Sequence, residues 1–154
     1  MLSPEEKSGI DRELAQVPVR SAACLEALKV VQRARGWVDD EALRDNAAYL
    51  DMSPAELDSV ATFYNLVFRR AVGRHVIYFC DSVSCWLLES EAVRDALAER
   101  LGARFGETTR DGRFTLVPIQ CLGCCDKGPA LMVDEDLHVE VSREGLGAIL
   151  EGYP

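Results

Sequence analysis

The sequence predicts an α+β protein in two parts, a helical bundle over residues 1–70 followed by a small α/β sandwich over 71–154. Three observations predict it. Helix-capping signatures punctuate the first part, at Ser3-Pro4-Glu5-Glu6 and again at Ser53-Pro54-Ala55-Glu56. β-branched and aromatic strand patterns begin only at His75. Five of the six cysteines fall in the second part, at the exits of those strands.

Each element is justified in order. Ser3 stands at an N-cap place, with proline at the first helical position and glutamate three residues after the cap, so a helix over about 4–16 is expected. A second helix runs from about Ala22 to Arg35 and stops at Gly36, a left-handed C-cap. Its Cys24, Leu28 and Val31 share one face, which makes Cys24 a buried hydrophobe. A third covers about Glu41–Leu50, and a fourth opens at Pro54 and extends through about Phe63. His75-Val76-Ile77-Tyr78-Phe79-Cys80 reads as a buried strand. Residues 85–101 read as one helix with Leu88, Ala92, Val93, Ala96, Leu97 and Leu101 inward, ended by Gly102. Residues 113–119 form a second strand that leaves the ladder near Pro118. Residues 131–133 and 137–141 make a hairpin around Asp134-Glu135-Asp136, which is most simply a solvated turn. A last helix starts near Ser142.

Composition excludes several classes. Of 154 residues, 48% are apolar and 28% charged, which is globular rather than disordered. Seventeen basic against 26 acidic side chains give −9, so a phosphate-neutralising surface and nucleic-acid binding are set aside. No apolar run reaches the ~18 residues of a membrane helix, so no direct membrane insertion is expected. The start, Met1-Leu2-Ser3-Pro4, lacks the features of a signal peptide, and the expected setting is a reducing cytoplasm. Clustered cysteines there more often bind metal or do redox chemistry than form structural disulfides.

The thiols carry a pattern. Cys80 ends a strand and Cys85 comes after a four-residue gap. Cys121 comes after the second strand, and Cys124 and Cys125 lie in a loop with Gly123 and Gly128. Two pairs on strand-exit loops can meet at one edge of the sheet. Soft thiolates select zinc, copper(I) or iron–sulfur clusters, and four cysteines are what a [2Fe–2S] centre takes. The gaps are wider than a zinc knuckle, and Gly123 permits positive φ, letting backbone N–H groups point at sulfur. Spacing alone ranks iron–sulfur first, structural zinc second and dithiol redox third. The pair Cys121/Cys124 has thioredoxin spacing, but Gly128-Pro129 disfavours the helix that would activate it. His75 and His138 read as surface or packing residues. Trp37 reads as packing, Trp86 as core or as a shield beside Cys85, and Phe63, Tyr64 and Phe68 as core or as a partner-facing patch. Gly145-Leu146-Gly147 is too short for a dinucleotide fingerprint.

Residues 73–85, from Gly73 to Cys85, together with Cys121-Leu122-Gly123-Cys124-Cys125-Asp126-Lys127-Gly128-Pro129-Ala130, resemble the E-subunit family of bacterial NADH:quinone oxidoreductase, or respiratory complex I. Glu26–Gln32, Arg35-Gly36-Trp37-Val38 and Val60-Ala61-Thr62-Phe63-Tyr64 match as well. The resemblance implies a thioredoxin-like α/β [2Fe–2S] ferredoxin domain after the helices, with one cluster held by Cys80, Cys85, Cys121 and Cys125. Cys124 departs from the family pattern. It implies one-electron transfer beside a partner subunit that binds FMN and NADH, in the cytoplasmic peripheral arm of a membrane-bound complex, with no NADH or FMN site on this chain. Much of the partner contact is expected from the helical part. Four thiolates on two ferric ions and two sulfides leave a net negative site, so burial and the acidic second part should push its potential low. The alternatives are the equivalent diaphorase subunit of an NAD-linked formate dehydrogenase or hydrogenase, and a colourless structural zinc-binding interaction module.

Overall fold

Helix starts in the first part are set by local hydrogen bonds. The computed structural model describes residues 1–154. Helix α1 (Pro4–Leu14) opens on a reciprocal capping box. The Glu6 amide donates to Ser3 Oγ at 3.1 Å, and the Ser3 amide donates to Glu6 Oε2 at 2.7 Å. A 3-10 turn (Arg20–Ala23) leads into α2 (Cys24–Arg35), which ends on left-handed Gly36. Asp39 caps α3 (Asp40–Tyr49), and Ser53 with Glu56 repeats the capping box at α4 (Pro54–Phe63). Their apolar stripes meet in a core of Ile10, Ala27, Leu28, Val31, Leu50 and Leu57, all buried. Glu6 is only 3% exposed, and Arg35 grips both its oxygens at 2.6 and 2.8 Å. That bidentate pairing compensates the burial of the charge. Cys24 differs from expectation. It is the first residue of α2 and sits half-buried at the rim of the core. These residues, Met1–Ala71, form one unit, and Val72–Pro154 form another.

In the second unit the β-branched and aromatic run pairs on both sides. Strand β1 (His75–Cys80) lies parallel to β2 (Phe114–Ile119) and antiparallel to β3 (Leu131–Val133), which pairs with β4 (Asp136–His138). The sheet order is β2-β1-β3-β4. A parallel pair needs a crossover, and the helices α5 (Val83–Leu87) and α6 (Ser90–Leu101) supply it. Val93 and Leu97 of α6, with Leu146 and Leu150 of α7 (Leu146–Glu151), pack on Ile77, Phe79, Phe114, Leu116, Leu131 and Val133. The residues of β1 alternate, so Cys80 projects to the opposite face from Phe79.

Four local expectations are corrected. The helix over 85–101 is two helices, broken at Glu89, whose φ is +61°. Val93 and Leu97 are buried, but Leu88, which lies before the break, and Ala92, which lies beside the buried face of α6, are exposed. Strand β2 stays in register with β1 through Pro118 to Ile119. Leu116 donates its N–H outward to Glu107, so position 118 faces the open edge, where proline forfeits no bond. The hairpin's second strand stops at His138. Glu140 and Val141 instead donate their N–H groups to Lys127 O and Pro129 O, at 2.8 and 2.9 Å. The last helix starts at Leu146, after a turn in which Ser142 Oγ accepts the Gly145 N–H.

The hairpin turn is more than solvated surface. Asp134 accepts the Val76 N–H at 2.8 Å and pairs with His75 Nδ1 at 2.7 Å, tying the turn to β1. His138 Nε2 meets the Tyr153 hydroxyl at 2.9 Å, and the His75 ring stands edge-on to the Tyr153 ring, so both histidines serve packing.

Candidate metal centre

The sheet brings the thiols to one end. Because β1 and β2 run parallel in register, Cys80 stands opposite Ile119, and the two strand-exit loops leave on the same side. Cys80 and Cys85 are buried; Cys121 and Cys125 are exposed. The thiols come as two pairs. Cys80 and Cys85 share one small buried cluster and each moves the other's thiol, while Cys121 Sγ and Cys125 Sγ lie 3.6 Å apart. Two sulfurs bound at about 2.3 Å to one tetrahedral metal stand about 3.8 Å apart, close to that spacing. No three Cys, His, Asp or Glu side chains are gathered around a single-ion position. Paired thiols suit a two-iron centre, in which each iron takes two protein ligands.

The first pair is held by regular structure. The Cys80 amide donates to Ala130 O at 3.1 Å, extending the sheet. Ser82 is the N-cap of α5, its Oγ accepting the Cys85 N–H at 3.4 Å. The same oxygen lies 3.4 Å from Cys80 Sγ. A Cβ added to Gly128 would stand 3.1 Å from Cys85 Sγ, so glycine there lets the second loop lie against the first thiol pair. The second pair is held by loop hydrogen bonds. Gly123 takes φ +81° and aims its N–H at Cys121 Sγ, 3.3 Å away, as its conformational freedom predicts. A 3-10 turn (Cys125–Lys127) comes next, braced by the bond from Glu140 to Lys127.

The thiols sense one another. Burial pushes Cys80 up, but the Ser82 hydroxyl, the amides of Leu122 and Ser82 and the Cys85 thiol overcome it, and Cys80 ends below the ordinary thiol range. The Leu122 amide belongs to the second loop, so that loop already helps to stabilise a thiolate of the first. Burial and donation to Cys80 push Cys85 up. At Cys121 the Gly123 amide favours the thiolate, but Cys125, burial and the charge of Cys80 outweigh it, leaving the thiol raised. Within each pair one thiol's ionisation is thus opposed by its neighbour, and a bound cationic centre would relieve that repulsion. Cys124 turns inward, half-buried against Cys80, Cys85 and Ala130, and burial raises its thiol. Trp86 is exposed, so it is not core. Sequence reasoning missed Ser82 and Gly128. The N-cap place of Ser82 was legible; its second bond, back to Cys80, was not.

A sheet of this order, with paired thiols on the loops leaving adjacent parallel strands, defines a class: the chain belongs to the thioredoxin-like [2Fe–2S] ferredoxin family, whose pattern matches residues 10–154. That family carries a [2Fe–2S] cluster, and the two thiol pairs fit one. More particularly, the chain is 45% identical over 153 residues to the NADH-quinone oxidoreductase E subunit of Pseudomonas aeruginosa, covering 99% of this chain and 92% of that relative. It is 45% identical over 152 residues to the corresponding E subunit of Escherichia coli, with the same coverage. Among solved structures, an NAD+-reducing [NiFe]-hydrogenase in the air-oxidised state shares the fold, with a TM-score of 0.73 at 24% identity over 85% of this chain. This chain spans 22% of that hydrogenase chain.

Proposed function

We propose that this chain is the electron-transfer subunit of an NADH-quinone oxidoreductase, with one [2Fe–2S] cluster on Cys80, Cys85, Cys121 and Cys125. The observation that carries the reading is the delivery of two thiol pairs to one end of the sheet by the parallel register of β1 and β2. The near full-length identity to the E subunits of two bacteria supports the assignment of the complex. When bound, the cluster takes up and returns one electron at a time. The chain's own residues hold it: β1 and α5 fix one thiol pair, the Gly123 loop presents the other, and backbone amides of Leu122, Gly123 and Ala130 face sulfur.

The electron partner is an FMN- and NADH-binding subunit, placed with this chain in the cytoplasmic peripheral arm. No helix is long and apolar enough to cross a membrane. Residues 1–70 serve as the helical partner-contacting region and 71–154 as the cluster domain. The T-shaped Phe63–Tyr64 pair at the end of α4, with Phe63 79% exposed, supports a partner-facing patch there. The test is anaerobic purification of the full chain with the flavin subunit co-expressed. The expected result is two irons and two acid-labile sulfides per chain, and bleaching of the cluster's visible band by NADH only when the flavin subunit is present. Phe63→Asp should keep the band and lose the partner. Stoichiometric zinc without sulfide overturns the cluster, and unchanged partner capture by Phe63→Asp overturns the patch.

A further inference from the structure

Ser82 stands between the two thiols of the first pair. As N-cap of α5 its oxygen accepts the Cys85 N–H, and that oxygen is also 3.4 Å from Cys80 Sγ. A cap uses only an acceptor lone pair. A serine hydroxyl has two lone pairs and one proton, so it can accept from Cys85 and donate to Cys80 at once. While Cys80 is a thiol it supplies the proton to Ser82. As a metal-bound thiolate it has none, and the bond must run the other way. Cys85 has by then lost its own thiol proton. The Ser82 hydroxyl then remains the side-chain donor seen at this sulfur, beside the backbone amides of Leu122 and Ser82.

We infer that Ser82 is a positioning residue that raises the reduction potential of the centre, by donating its hydroxyl proton to the Cys80 thiolate while its lone pair holds the first turn of α5. The inference rests on the proposed ligand set of Cys80, Cys85, Cys121 and Cys125. Its sign is set by charge. The reduced centre carries one more negative charge, shared with its sulfurs, so a donor fixed on sulfur stabilises the reduced state more than the oxidised one. Removing the donor therefore lowers the potential. Hydrogen bonds to charged groups are among the stronger ones, but only the difference between the two redox states counts. The expected change is about tenfold in the reduced-to-oxidised ratio at a fixed poise, equivalent to about 59 mV for one electron.

The experiment uses the full chain purified without oxygen, as Ser82→Ala, Ser82→Gly and Ser82→Thr. Each is titrated against redox mediators and followed by paramagnetic resonance, with iron and sulfide counted in parallel. Glycine is a tolerable N-cap, within a few tenths of a kcal/mol of serine, so it separates the cap from the proton. Ala and Gly should both keep their iron and shift downward together, and Thr, which keeps the hydroxyl, should restore the wild-type potential. An unmoved potential in Ala and Gly overturns the inference. So does a Thr chain shifted as far as Ala, or iron lost from Ala and Gly alike, which would make Ser82 a residue of assembly. A Cys80→Ala chain separates the two levels. If it keeps full iron and an unchanged spectrum, the ligand assignment itself fails. If it loses iron while Ser82→Ala leaves the potential in place, only the role of Ser82 fails.

Discussion

The two thiol-bearing loops reach the same end of the sheet by different means. Cys80 is the last residue of the central strand, Cys85 lies in the first turn of a capped helix, and both are buried. Cys121 and Cys125 are exposed on a loop shaped by one left-handed glycine, and the far side of that loop is braced by two backbone bonds from Glu140 and Val141. The first pair is therefore a template fixed by the core, and the second is a clasp that adapts to what the template holds. The first pair has no spare thiol beside it in its own loop, whereas the second has Cys124.

The largest expected effect breaks the contrast directly. Cys80→Ala and Cys85→Ala should abolish the visible band and lose stoichiometric iron, since each removes a proposed ligand and a buried side chain together. Cys125→Ala should retain a distorted centre with a shifted absorption or paramagnetic resonance spectrum, because Gly123 lets Cys124 swing into the vacant place. If all three variants lose iron equally, the clasp is as rigid as the template.

A smaller effect sharpens the comparison by perturbing a region that holds no thiol of the centre. Hydrogen bonding to Arg35 lowers the Glu6 carboxyl from its ordinary value, with burial opposing and the Ser3 amide contributing. A lowered folded pKa stabilises the protein above the unfolded value near 4.5. That contribution is lost as pH falls through the lower, folded value. Glu6→Gln should cost about 2 kcal/mol at neutral pH, less than a fully buried pair because Arg35 is 28% exposed. Denaturant titrations should show this difference shrinking below about pH 4, with the visible spectrum of the loaded chain unchanged at neutral pH.

The smallest effects lie in the packing of the loops. In Gly128→Ala the new Cβ would meet Leu88 Cδ1 at 3.0 Å and Cys85 Sγ at 3.1 Å. We expect a loss of about 1–2 kcal/mol in unfolding free energy from this overpacking. Gly123→Ala meets no neighbour and bears only left-handed strain, about 1 kcal/mol. Only Gly128→Ala should disturb the spectrum through the template side. The reverse ranking would place the rigid half of the site in the second loop.

The features legible in the sequence are the local ones. Ser3 with Glu6 and Ser53 with Glu56 announce helix starts because the capping bonds span three residues. Gly36 and Gly102 announce stops because the backbone there turns left-handed. The break at Glu89 is hidden because no glycine or proline marks it. The apolar spacing runs on unbroken from Leu88, and only the packing shows that α5 and α6 face different ways. The early end of β4 is hidden for a related reason, since Glu140 and Val141 find their partners in the thiol loop rather than in β3. Asp134 looks solvated from its charge, yet it accepts from a strand 58 residues earlier. At the site, the four thiols are read from spacing and resemblance. Ser82 and Gly128 are not, because their roles depend on how the first loop folds back and how closely the second approaches it.

The central claim is that Cys80, Cys85, Cys121 and Cys125 hold one [2Fe–2S] cluster, with Cys124 outside the ligand set. Counting iron and acid-labile sulfide in anaerobically purified Cys124→Ala, beside its visible spectrum, tests this most directly. The account predicts two irons, two sulfides and a wild-type spectrum, because Cys124 packs inward while Cys125 pairs with Cys121. Loss of iron from Cys124→Ala, with an unchanged spectrum in Cys125→Ala, would contradict it and make Cys121 and Cys124 the second ligand pair.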